Sequence, residues 1–167
     1  MDTWPPIGDC NAIIRRTNAI SSEFVGQHGV RQVVAIGTGT NVEILESAYE
    51  AYNRGDIDAV LSVFSEDIEW IEPDGAPSPG SHIGPDAVLN DIFMETMATF
   101  EDLSVEPERF IDGGDTVVGV GRFRGKDRES GNRFDVSFAH ICDMKDGKIT
   151  KCVNSTDTAA MLRVFEA

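Results

Sequence analysis

The chain has 167 residues, 41% hydrophobic and 26% charged, enough for one packed domain with a short appendage and too apolar for wholesale disorder. Fourteen Lys and Arg against 29 Asp and Glu leave a net charge of -15, which excludes a nucleic-acid backbone or an anionic membrane surface as the default partner. No run approaches the roughly 18 apolar residues of a membrane helix, and the start lacks the basic-then-apolar pattern of a secretory signal.

Three cysteines (Cys10, Cys142, Cys152) show no CxxC or zinc-type spacing. They imply a reduced, cytoplasmic setting and no metal or other cofactor. Four lysines stand beside ten arginines, 16 Asp and 13 Glu. Such a lysine-poor acidic surface suits solubility in concentrated salt; an ordinary acidic protein is the alternative.

Residues 1–40 read as a loosely attached arm. It opens on Trp4-Pro5-Pro6, is weakly amphipathic over 11–25 and strand-like over 33–36. The domain proper, 41–167, opens with a capping box, Thr40 to Glu43. Leu45, Ala48, Tyr49 and Tyr52 then mark one helix face. Gly55 stops that helix, and Asp56 caps the next, with Ile57, Val60, Leu61 and Phe64 on its face. The stretch 68–72 alternates as a strand that points Ile68, Trp70 and Glu72 one way.

From Pro73 to Pro85 seven of 13 residues are Pro or Gly, the composition of a long binding loop or lid. Pro85 starts a third helix with Leu89, Ile92, Phe93, Met97 and Phe100 on its face. Four strand-like runs follow, at 104–111, 116–124, 133–144 and 148–156, the last two joined by the hairpin signal Asp146-Gly147. Residues 159–165 close as a short helix. The order ααβαββββα predicts an α+β fold with helices on one face of a curved antiparallel sheet.

Three segments carry a family resemblance: 49–59 (YEAYNRGDIDA), 67–73 (DIEWIEP), and the stretch holding Phe138-Ala139-His140-Ile141, Lys145-Asp146-Gly147-Lys148-Ile149 and Thr156-Asp157-Thr158-Ala159-Ala160. They resemble the opening helix pair, first strand and last hairpin of the SnoaL-like proteins, in the superfamily of nuclear transport factor 2 and ketosteroid isomerase. The resemblance spans about 41–165 and implies a cone-shaped sheet around a small-molecule pocket. Its members include isomerases, cyclases, hydratases, hydrolases and non-catalytic binders, so function must be read from the site.

Glu72 is the first candidate. It shares a face with Trp70, and desolvation beside an indole raises a carboxylate toward a useful base; a solvated strand end is the bland alternative. The resemblance places it where ketosteroid isomerase keeps its general base. His140 falls on the apolar face with Val136, Phe138 and Cys142, as a neutral donor or proton relay, or as a core histidine. Tyr49 and Tyr52 share the inner helix face, and Trp70 and Phe138 would wall the pocket. His82 sits in the Pro/Gly loop and could close over a ligand. Asp157 shares the pocket face but precedes a helix, so it reads first as an N-cap. Arg122 and Arg124 share a strand face and suit ion pairs with nearby carboxylates.

The helix position that supplies ketosteroid isomerase's oxyanion tyrosine is here Ala48, with Tyr49 one residue late, which argues against steroid isomerisation. The expected function is cofactor-independent proton transfer on a small apolar carbonyl compound by Glu72 and His140. A non-catalytic pocket for a hydrophobic ligand is the alternative. Pairing Lys145 with Lys148 sets Val153 opposite His140, and puts Ile141 and Cys152 on the outer sheet face as a homodimer stripe.

Overall fold

The computed structural model describes residues 40–165; the expectations for the arm, and Cys10 with it, lie outside the described residues. Helix α1 (Asn41–Asn53) begins at a full capping box, with Glu43 N donating to Thr40 Oγ1 and Thr40 N to Glu43 Oε2. It buries Ile44, Leu45, Ala48, Tyr49 and Ala51. Arg54 closes it and Gly55 turns left-handed at φ 74°. Asp56 then caps α2 (Ile57–Ser62) through Ala59 N.

Strand β1 (Phe64–Glu72) buries Ile68, Trp70 and Glu72 on one face. The Pro/Gly segment after it is not wholly loop. Within it β2 (Gly80–Ile83) pairs antiparallel with β1, setting His82 opposite Trp70. The free edge of β1 needs partners for its backbone, and four residues suffice to supply them.

The third helix, α3 (residues 85–99), runs through Pro85–Ala87, a π-helical stretch Val88–Met94, and Glu95–Thr99. It buries Val88, Ile92 and Phe93. Their i, i+4, i+5 spacing suits the wider π turn, which turns Leu89 and Met97 to the margin of the core. Phe100, expected to end that helix, instead opens β3 in an extended conformation.

Strands β3 (Phe100–Asp112), β4 (Thr116–Asp127), β5 (Arg133–Lys145) and β6 (Lys148–Thr156) form an antiparallel meander. The sheet order is β2-β1-β6-β5-β4-β3, and the sheet curves without closing. One pair departs from the expected antiparallel pattern: β1 and β6 run parallel. Helix α4 (Thr158–Leu162) and a 3₁₀ turn (Arg163–Phe165) end the described chain.

The β5–β6 hairpin decides the site. Asp146 and Gly147 both take positive φ (51° and 74°), the requirement of a two-residue hairpin turn, and Lys145 pairs with Lys148. The register then shifts. Met144 pairs with Ile149, but Asp143 pairs with Lys151, so Thr150 is an extra, bulged residue. Asn154, not Val153, therefore stands opposite His140, and Cys152 stands opposite Cys142 on the inner face. The expected Ile141–Cys152 outer stripe is corrected accordingly. Ile141 stays outside, 40% exposed, beside Val153.

Candidate functional site

Four strands bring one row of residues together. Asn154 of β6 pairs with His140 of β5, which pairs with Gly119 of β4, while Asn154 reaches Glu72 at the end of β1. Glu72 and His140 thus stand two strand spacings apart, roughly 10 Å between backbones.

Glu72 is held by two neutral donors. Trp70 Nε1 donates to Oε1 at 2.7 Å, and Asn154 Nδ2 donates to Oε2 at 2.8 Å. Desolvation by burial raises its pKa above the ordinary carboxylate value, and the two hydrogen bonds restrain that rise. No ion pair to Glu72 is present among the described residues. The side-chain oxygen of that amide, Asn154 Oδ1, is buried without a hydrogen-bond partner.

His140 is enclosed by rings. Phe138 and Trp70 stand 4.6 and 5.4 Å from it between centroids, and Tyr49 lies nearly parallel to it at 5.8 Å. His140 is half-buried and forms part of the wall of a cavity. Burial pulls its pKa from 6.5 down to about 4, with Asn154 opposing weakly, so the imidazole is neutral at neutral pH. Its Nδ1 lies 2.8 Å from Tyr49 Oη. Burial pushes the Tyr49 hydroxyl well up, and it keeps its proton. Either tautomer of the pair leaves one further N–H or O–H to donate.

Gly119 makes this contact possible. A Cβ built there would stand 2.7 Å from Tyr49 Oη, so the bare backbone is the space that the phenol occupies. Tyr52 comes from the same helix as Tyr49, one turn on, and packs edge-on against Phe93. Burial, reinforced by the Glu72 carboxylate, raises its hydroxyl too.

These groups share one cavity of about 110 Å³. Tyr49, Tyr52, Trp70, Glu72, Phe138 and His140 all line it, with Asn154, Phe93, Cys142 and Cys152. Two expected pocket residues lie outside the lining. His82 turns to the Ser78 carbonyl and to Asp91, tying the edge strand to α3. Asp157 caps α4 through Ala160 N, and β6 has already ended at Thr156, so it does not share the site's row. Arg122 and Arg124 are ion-paired to Asp135, and Arg124 also to Glu106. Among the described residues, no group of three or more His, Cys, Asp or Glu side chains could hold a metal ion.

The sequence reading missed Asn154 and Gly119. Glycine inside a strand pattern is a signal for close approach, and it was available at 119. Asn154 needed the bulge at Thr150, which the strong turn signal ending three residues earlier, at Gly147, conceals.

Comparison with known proteins agrees with this architecture. No curated protein sequence matches the chain. Among solved structures, an NTF2-like protein from Burkholderia thailandensis is 29% identical, covering 77% of this chain and 99% of its own, at a TM-score of 0.75. An NTF2-like protein from Burkholderia xenovorans is 31% identical over 77% of this chain and 98% of its own, at 0.67. TerC, co-crystallized with polyporic acid, is 26% identical over 76% and 98%, at 0.69. The SnoaL-like domain family matches residues 45–152, a span that runs from the first helix through the bulged hairpin, and the chain belongs to that family.

Proposed function

We propose that the protein is a cofactor-independent pocket enzyme that moves a proton on a small, largely apolar carbonyl compound, in an isomerisation or aldol-type cyclisation. The observation that carries this reading is Glu72, a carboxylate desolvated in an apolar wall and fixed by two neutral donors rather than by a cation. Such a group keeps its basicity and its aim. In the proposed step Glu72 takes the proton from the carbon beside the carbonyl. The Tyr49–His140 pair donates a hydrogen bond to the oxygen that gains charge. His140 acts there as a neutral imidazole, because its imidazolium forms only near pH 4. Protonated Glu72 then returns the proton at another carbon. In a substrate with a second carbonyl, the enolate carbon instead bonds to that carbonyl carbon, its C=O π bond opens, and the alkoxide so formed takes the proton from Glu72.

The cavity of about 110 Å³ is of the order of the roughly 150 Å³ engineered cavity that accepts benzene, which favours a substrate of about one ring. TerC's co-crystallization with polyporic acid supports an organic ligand for this type of chain.

The test is deuterium exchange from heavy water into a panel of small enolisable carbonyl compounds. Glu72→Gln keeps the side chain's shape, and the Asn154 amide can flip so that its unpartnered oxygen accepts from the new amide. Exchange is expected to fall by about 10²–10⁴-fold with ligand binding little changed. His140→Ala should also lose activity while retaining the pH inflection of the Glu72 base. If no compound that binds the pocket exchanges faster than in buffer, or Glu72→Gln leaves exchange intact, the pocket is a binding module.

A further inference from the structure

The floor of the cavity holds two groups that the proposed chemistry does not use. Cys142 and Cys152 are free thiols, 1% and 0% exposed, directly paired across β5 and β6, with their sulfurs 2.8 Å apart. Directly opposed residues of an antiparallel pair hold their Cα atoms about 4.5–5.5 Å apart, inside the range that a disulfide spans. The sulfurs need to close by less than about 1 Å to reach a bonding distance of about 2.05 Å. The bulge at Thr150 creates the pairing: in the unbulged register Cys152 would face outward opposite Ile141. Both thiols line the cavity, and Ala76, Pro77 and Thr156, which line it too, are only half-buried.

We propose that Cys142 and Cys152 are a dithiol modification site, oxidised to an intramolecular disulfide by a small hydroperoxide entering the cavity. One sulfur, giving up its proton, attacks the terminal oxygen of the hydroperoxide. The O–O bond breaks, the alcohol leaves with the proton, and a sulfenic acid remains. The second sulfur attacks that sulfur, the S–O bond breaks, and the departing hydroxide takes the second thiol proton as water. Two thiols have lost two electrons, and the hydroperoxide has become alcohol and water. His140 lies two residues from Cys142, and Asn154 two from Cys152, so the cross-link staples the two strands that carry the site. The proposal does not depend on the proton-transfer reading.

The experiment treats the full-length native protein with tert-butyl hydroperoxide, alkylates the remaining thiols under denaturing conditions, and maps peptides by mass. The expected product has lost two hydrogens, joins the Cys142 and Cys152 peptides, leaves Cys10 alkylated, and reverts with dithiothreitol. Closing so short a loop is expected to raise the melting temperature by roughly 5–10 °C, a gain that a Cys152→Ser variant should not show. Alkylation of both thiols after treatment, a bond to Cys10, or over-oxidation of either sulfur without a cross-link would each overturn it. These readouts use no substrate, so they stand apart from any failure of the exchange assay.

Discussion

Acidification isolates His140. Its pKa is depressed to about 4 in the folded chain against 6.5 when exposed, because the folded site disfavours the charged ring. The folded state therefore binds fewer protons than the unfolded state between those values. Stability is full above pH 6.5 and is lost as pH falls toward 4. At about 1.4 kcal/mol per pH unit, the window comes to about 3 kcal/mol, an upper figure because water in the cavity would ease the charge. Glu72 acts with the opposite sign: its raised pKa makes the fold more stable as it gains a proton, and other carboxylates titrate in the same range. The difference between two proteins removes both. His140→Phe keeps a ring against Phe138, Trp70 and Tyr49; it removes the titration together with the Tyr49 hydrogen bond, and the loss of that bond lowers the variant's stability at both pH values alike. Urea unfolding at pH 7.5 and pH 4 should show the wild type losing about 3 kcal/mol more than the variant. Equal losses would mean that His140 is solvated as in water, and the desolvated environment argued for it would fall.

Gly119→Ala should bring its Cβ against Tyr49 Oη, costing about 1–3 kcal/mol by overpacking and parting the phenol from His140; an unchanged denaturant midpoint would show that the phenol has room to move. The outer face predicts a homodimer. Ile71, Val153, Ile141, Val118 and Ile111 line up across five strands, a β-branched row that a second copy would cover. Sedimentation at micromolar concentration should show a dimer that Ile141→Asp converts to monomer, and a monomeric wild type would refute it.

Much of the fold was legible because its signals are local. The capping box at Thr40, the left-handed Gly55, the alternation through Trp70 and Glu72, and the turn at Asp146-Gly147 each act within a few residues. His140 was placed inward by the same alternation along its strand. What escaped depends on partners distant in sequence. Strand β2 exists because β1 has an edge to satisfy, and its exposed residues show no apolar alternation. The π turn depends on what α3 packs against. Val153 was set opposite His140 in the place that Asn154 holds, because a register counted from a good turn holds only until the first bulge.

That bulge gives the hairpin an unusual tolerance. Removing Thr150 would leave Met144 with Ile149, Asp143 with Lys151 and every later pair intact, so a chain one residue shorter here could keep the same wall. Sliding β6 by one residue without the bulge would present Val153 and Ser155 to the cavity and send Asn154 and Cys152 outside. Two sequences with the same residues around this turn could therefore differ wholly in what they offer a ligand. When a site is compared from one SnoaL-like chain to another, alignment by spatial neighbours across β5 and β6 is the sounder guide. Counting along the strand from the turn would match a carboxylate-holding amide with a surface valine.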